Sequence, residues 1–324
     1  MQQEIRFATF NAFNLAPAGQ QLYDNLLPLT AEQYEAKLDW TARQIDLLDA
    51  DVIGFQEIFS QAVLREALAR TRHYRDATHV GFDPDPGAER LTPSVALVSR
   101  LPLSTPGTLH AAFPDGVAMP EGSREVGTFS RAVIHAAVQV SPDCVVDVVV
   151  VHLKSKRPDY RNGDSIEDPL LFGLACLRSL VRRGTEAVAL RVLLTGMAQR
   201  NKRPQVVLGD FNDVADAVST TIVMGNGSAM SGRLFDACQL QQRQDHLRHV
   251  GFSIMHDGSY TTIDHILVSE EFNPALPNAI GEVIDVVYLN DHVVLELPAA
   301  SDHGQVIARI RLFDEMRGLS DAGV

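Results

Sequence analysis

The sequence predicts an α/β protein whose sheets mix parallel and antiparallel strands. Two observations carry that expectation. Eight short apolar segments, most of them rich in β-branched residues, recur along the chain and are too brief for helices. Strand, helix and strand alternate at the start, whereas residues 94–151 read as adjacent strands joined by turns. The chain has 324 residues, with 45% hydrophobic and 21% charged side chains, an ordinary globular balance. That length can bury a large core, and with no low-complexity linker the expectation is one domain over residues 1–324.

The predicted strands are residues 5–10, 52–55, 94–98, 132–140, 145–151, 205–208, 263–268 and 306–312. A first helix starts after Thr30, a suitable N-cap followed by Glu32 and Gln33 in the opening turn. Its residues Tyr34, Leu38, Thr41, Ile45 and Leu48 form one stripe. A second helix runs from 169 to about 200, marked by Leu170, Leu174, Leu177, Val181, Val188 and Leu194. Gly184 is expected to interrupt it, because glycine costs a helix interior about 1 kcal/mol. Segments 81–88, 111–127, 158–168 and 224–232 read as surface loops, and the polar stretch 241–249 as a solvated helix or loop.

The net charge of −13 offers no global basic footprint for nucleic acid. The local basic clusters read mostly as solvated surface. The exception is Lys154-Ser155-Lys156-Arg157, which almost directly follows His152 and could form a local basic channel. Three widely spaced cysteines, Cys144, Cys176 and Cys238, give neither a complete disulfide framework nor a zinc ribbon. No run of ~18 apolar residues suggests a membrane span, and no secretory h-region is seen. A cytoplasmic protein is the expectation.

Chemistry-bearing residues gather where predicted strands end. They are Asn11, Glu57, His152, Asp210 with Asn212, Asp264, and Asp302 with His303. One polar residue at a strand end is usually a cap or a turn former. Six such sites combining carboxylates, amides and histidines point to a shared centre. Carboxylate and amide oxygens are hard ligands suited to Mg²⁺ or Mn²⁺, and no HExxH or cysteine pair speaks for zinc.

The ordered motifs Thr9-Phe10-Asn11, Gln56-Glu57, the 94–100 segment, Val151-His152-Leu153-Lys154, Gly209-Asp210-Phe211-Asn212-Asp213, Ile263-Asp264-His265 and Ser301-Asp302-His303 together resemble the endonuclease/exonuclease/phosphatase family. The resemblance implies a DNase I-like four-layer α/β sandwich, with two mixed β-sheets packed face to face and helices outside. It implies a Mg²⁺-dependent phosphoesterase (Mn²⁺ the other candidate) that breaks a phosphodiester by in-line attack of water. On that resemblance Glu57 is the principal metal ligand, with Asn11 and Asp302 beside the same ion. His303 is the essential histidine and Asp264 its carboxylate partner, acting as base or as phosphate stabiliser. Asp210 orients or deprotonates the water, and Asn212 donates to a phosphate oxygen. His152 contacts the phosphate or assists the leaving group. Arg131 and Lys154 are expected to bind substrate, and Asn14 to be structural. The expected substrate is DNA or RNA, so the chain is read first as a nuclease. The alternative is a phosphatase or phosphodiesterase of small or lipid phosphates. A catalytically silent binding module stands last.

Overall fold

In the stretch Val148 to Val151, residues 148 and 150 point one way and 149 and 151 the other, yet all four are fully buried. A strand buried on both faces must be covered on both faces, and this sets the layering. A computed structural model of the chain describes residues 3–83, 90–118, 127–161, 163–225, 232–241, 251–256, 258–295 and 297–313.

The elements run β1 (Glu4–Leu15), α1 (Ala31–Leu48), β2 (Val52–Ile58), α2 (Gln61–Ala69), β3 (Thr78–Gly81), β4 (Ser94–Ser99), β5 (Thr108–Ala112), β6 (Thr128–Ser141), β7 (Cys144–His152) and α3 (Pro169–Asn201). They continue with β8 (Gln205–Asp210), α4 (Val218–Met224), β9 (Leu234–Asp236), α5 (Ala237–Leu240), β10 (Ile254–His256), β11 (Ser259–Thr261), β12 (Asp264–Ser269), β13 (Gly281–Leu289), α6 (Asp291–Leu295) and β14 (Gln305–Leu312). One six-stranded sheet has the order β13-β14-β1-β2-β4-β3, the other β5-β6-β7-β8-β12-β9, and β10 and β11 form a small ribbon. Each large sheet holds one parallel pair, β1 with β2 and β7 with β8, among antiparallel ones. The mixed character expected from sequence is therefore present.

The two sheets face each other across one apolar layer. Phe7, Val52, Leu97 and Ala308 meet Ile134, Val148, Val150, Val206, Leu208 and Ile266 there. Gly54 belongs to this seam, because a Cβ on it would stand 2.9 Å from Leu208 Cβ. The outer face of the first sheet packs Ala8, Phe10, Ile53 and Phe55 against Leu38, Ile45, Val63 and Leu64 of α1 and α2. The outer face of the second packs Val149, Val151, Val207 and Leu267 against Leu190, Leu194 and Met197 of α3 and Val223 of α4. Helix, sheet, sheet and helix thus make the four-layer sandwich that the family resemblance implies.

All eight predicted strands are present, and α1 begins at the Thr30 capping box. Two expectations change. Helix α3 runs unbroken for 33 residues through Gly184, whose Cβ position meets nothing within 4 Å. Little of the predicted stripe is buried. Leu194 is in the core, but Leu170, Leu174, Leu177 and Val188 are exposed, while Ser179, Arg183 and Glu186 are buried instead. Those polar residues turn inward because they hold the site described below. Parts of the predicted loops 81–88, 111–127 and 224–232, and residues 242–249 of the predicted polar segment, lie outside the described residues.

Candidate active site

The site residues sit where both sheets end at one edge of the sandwich. In the second sheet His152 is paired with Asp210 across β7 and β8, and Asp210 with Asp264 across β8 and β12. Three chemistry-bearing residues are therefore set side by side by strand register alone. Gly209 permits this close approach, since a Cβ there would come within 2.2 Å of the Val151 carbonyl oxygen. In the first sheet Asn11 pairs with Gln56, and beyond that point both strands break register. Glu57 then takes φ +60°, with Phe13 and Asn14 at +50° and +57°. Left-handed backbone at residues other than glycine costs of order 1–3 kcal/mol each and gathers at functional sites. Here the bulged strand ends re-aim Glu57 toward the second sheet's residues.

Asn11 joins the two halves. Its Nδ2 donates to Asp210 Oδ2 at 3.1 Å and lies 3.5 Å from His303 Nε2, while its Oδ1 accepts from Phe13 N–H. Ser301 Oγ donates to the Asn11 carbonyl and accepts from His303 N–H, which locks the approach to β14. His303 Nδ1 meets Asp264 Oδ2 at 2.8 Å, so its Nε2 is turned to the site interior. Glu57 Oε2 accepts from Asn14 N–H at 3.0 Å. Asp302 stands at the rim, half-exposed, with Oδ1 3.9 Å from His303 Nε2. His152 Nε2 lies 3.4 Å from Asp210 Oδ2, and its buried Nδ1 has no partner among the described residues. Asn212, another left-handed residue at φ +52°, donates its N–H to Asp210 Oδ1 and one amide hydrogen to Leu153 O.

Burial and mutual charge set the protonation of the cluster. Burial pushes Asp210 up to about 7, with help from the nearby Asp264 and against the His303 charge. Burial likewise raises Glu57, opposed by His303 and reinforced by Asp302. Burial alone would depress His303, but the charge and hydrogen bond of Asp264 outweigh it, aided by Asp302 and Asp210, and leave it well above an ordinary histidine. His152 moves the other way, driven down by burial and then by the positive charges of Arg131 and His303. Two histidines flank one carboxylate with opposite tendencies, one cationic and one neutral.

The donor set fits a hard divalent cation. Carboxylate oxygens of buried Asp210 and Asp264 lie within 4.8 Å of one another, close enough to Glu57 for its charge to act on Asp210. Asp264 Oδ1 is buried without a partner among the described residues, and burial raises Glu57 and Asp210. A cation offsets such an accumulation of buried negative charge.

Of the two residues expected to bind substrate, the structure treats one differently. The Arg131 guanidinium approaches Leu153 O at 3.3 Å, near enough to the centre for its charge to act on Glu57 and His152. The Lys154 ammonium instead serves the fold: it donates to Ser155 O, Arg157 O and Ser179 Oγ at 3.1–3.2 Å, with Ser155 Oγ at 3.4 Å. An ammonium has three donors, so this set leaves little for a phosphate. Lys156 pairs with Asp213 at 2.9 Å. The expected basic channel is thus largely committed to internal partners.

Sequence reasoning missed several supporting residues. Glu186 on α3, almost fully buried, accepts from Ser130 N–H and Oγ, Lys154 N–H and Arg182 Nε. It fixes the strands that carry Arg131 and His152. His265 bonds Asp236 Oδ2 through Nδ1 and the Asp213 carbonyl through Nε2. Burial would depress this ring, but the hydrogen bond and charge of Asp236 outweigh it and raise it, and the ring pins the loop after Asp210. Lys37 is buried on α1, donates to Ala300 O at 3.1 Å, and is pushed down to about 8 by burial, with Asp302 and Glu57 pulling the other way. Glu186 and Lys37 stand mid-helix, where spacing alone marks nothing. His265 was visible only as the neighbour of Asp264.

Residues 8–303 match the profile of the Endonuclease/Exonuclease/phosphatase family. The chain belongs to this family. Its members are metal-dependent phosphoric ester hydrolases, and the chain is an enzyme of that class. Among solved structures it is similar to a family member from Bacteroides vulgatus, with 15% identity, a TM-score of 0.61, and coverage of 96% of this chain and 100% of that one. The human Nocturnin catalytic domain with bound sulfate aligns at 17% identity and a TM-score of 0.60, covering 97% and 96%. A mannosyl-6-phosphatase from Bacteroides thetaiotaomicron aligns at 15% identity and a TM-score of 0.56, covering 94% and 99%. At such identities the likeness concerns the fold. No curated protein matches by sequence. No helix among the described residues is long and apolar enough to cross a membrane.

Proposed function

We propose that this family member is a Mg²⁺-dependent phosphodiesterase acting on a small phosphate ester rather than on duplex nucleic acid. The observation that carries the reaction is the register-set row His152, Asp210 and Asp264, closed from the other sheet by Asn11, Glu57 and His303. Glu57, Asn11 and Asp302 would hold the ion, which when bound neutralises the phosphate and makes phosphorus a better electrophile. Asp210 orients the attacking water. His303, oriented by its 2.8 Å contact with Asp264, stands beside the phosphate as base or charge stabiliser. Asn212 keeps one amide hydrogen for a phosphate oxygen, and Arg131 supplies a further positive charge. His152, neutral and next to Asp210, faces the leaving-group side. Water attacks phosphorus in line, the P–O bond to the leaving group breaks, and no side chain is covalently modified.

The preference for a small ester over DNA or RNA rests on charge. The net charge is −13, and Lys154 and Lys156 of the expected basic channel, like the neighbouring Arg183, are bound to internal partners. Duplex binding draws on several free cations that displace counterions. The sulfate bound in the Nocturnin domain and the mannosyl-6-phosphatase of the same fold accord with a small anionic substrate.

A substrate panel tests the reading: plasmid DNA, single-stranded DNA, RNA, a sphingomyelin-type lipid, and small phosphate mono- and diesters, at fixed Mg²⁺ and stated low salt. Turnover of a small diester well above that of every nucleic acid is the expected result. Efficient, salt-sensitive cleavage of plasmid DNA with slow turnover of small esters would reverse the preference.

A further inference from the structure

Beside Glu57 an apolar cavity of about 160 Å³ opens between the 13–29 segment, α1 and residues 298–300. Leu22, Leu29, Ala36 and Ala299 form much of its wall. Three of its wall residues also border the catalytic centre. Asn14 holds Glu57 through its N–H. Phe13 donates its N–H to Asn11. Lys37 lies close enough to Asp302 and Glu57 to feel both charges. On this shared side Asn14 Oδ1 is buried without a partner among the described residues.

We propose that this cavity binds an apolar substituent of the phosphoester, about the bulk of one six-membered ring, while the phosphate lies among Glu57, His152 and His303. The proposal rests on the phosphoesterase reading and narrows its substrate class. The wall residues Phe13, Asn14 and Lys37, shared with the site's surroundings, favour a part of the substrate over a separate ligand. Charge agrees, because among the described residues the lining of an otherwise acidic chain includes no carboxylate and one buried ammonium, Lys37. Such a wall tolerates an anionic ester that an acidic wall would repel. Size sets the upper limit, since a dry cavity of about 150 Å³ accommodates benzene. A ring or a branched chain of similar bulk therefore fits, and a long acyl chain does not. Lys37 already lies 5.4 Å from the Phe13 ring centroid and 5.6 Å from that of Trp40, so its ammonium is accustomed to aromatic surfaces.

The test compares phenylphosphonate with methylphosphonate by calorimetric titration in the presence of Mg²⁺. It uses the wild-type chain and two cavity-filling variants, Ala36→Phe and Ala299→Phe. Ala36 is exposed and Ala299 partly exposed, so both positions can take a ring without disturbing the core. Thermal melting checks each variant's fold. The wild type should bind the phenyl compound about tenfold more tightly, the lower end of what one pocket-filling apolar group contributes. That ratio should fall to near one in either variant. Equal affinities in the wild type, no binding of phenylphosphonate at millimolar concentration, or an unchanged ratio in both folded variants would each overturn the proposal. Hydrolysis of bis(4-nitrophenyl) phosphate by the same samples reports on the esterase reading separately. A phenyl preference that collapses in the variants, with no hydrolysis, keeps the cavity's role and removes that reading.

Discussion

At the level of single residues, the site depends on His303 having one ring nitrogen fixed. Asp264 accepts from Nδ1 at 2.8 Å, and the charge of this buried carboxylate keeps the ring protonated against the pull of burial. Asp264→Asn would preserve the shape and remove the charge. We expect kcat to fall by on the order of a hundredfold or more, with KM and the melting temperature little changed, as when an orienting carboxylate is neutralised. Steady-state kinetics alongside thermal melting checks this, and an unaltered kcat would show that the pair serves packing alone. Much of this residue-level picture was legible in the sequence, because the family's motifs keep a fixed order and each falls at a strand end. Lys154 shows what one dimension hides. A lysine after a site histidine looks free in one dimension, whereas its loop folds back and presents carbonyl oxygens to it.

At the scale of the elements, α3 explains most of what sequence did not reveal. Its spacing of leucines suggested the buried face, yet several of those leucines are exposed, while Ser179, Arg183 and Glu186 turn inward to hold the loops after His152 and Asp210. A polar residue in a helix is ordinarily solvated, so its burial became visible only with the partners in place. Strand β13 escaped notice for a related reason. Glu282 and Asp285 interrupt its apolar run and are paired across the sheet with Arg311 and Arg309 of β14. Gly184 is the clearest case of tertiary packing overriding propensity, since helix α3 continues through it. Open space around its Cβ position means that Gly184→Ala should stabilise the protein by up to about 1 kcal/mol. A urea midpoint shifted upward with an unchanged slope is the expected reading, and a downward shift would place a contact at that position.

Over the whole molecule, two sheets bring together residues separated by up to 292 positions, Asn11 and His303. Neither sheet carries the site alone. The second supplies His152, Asp210 and Asp264 by register. The first supplies Asn11 and Glu57 at strained strand ends, with His303 just ahead of β14. The four-layer architecture was legible in outline from the mixed strand pattern and the family resemblance. The cavity beside Glu57 was not, because it arises where the 13–29 segment packs against α1 and residues 298–300. The most direct measurement is hydrolysis of bis(4-nitrophenyl) phosphate, with and without Mg²⁺, by the wild type, Glu57→Ala and His303→Ala. Turnover that requires the divalent ion and falls about a hundredfold or more in each folded variant is the predicted result. Full activity in both variants, or equal activity after the metal is chelated, would contradict it.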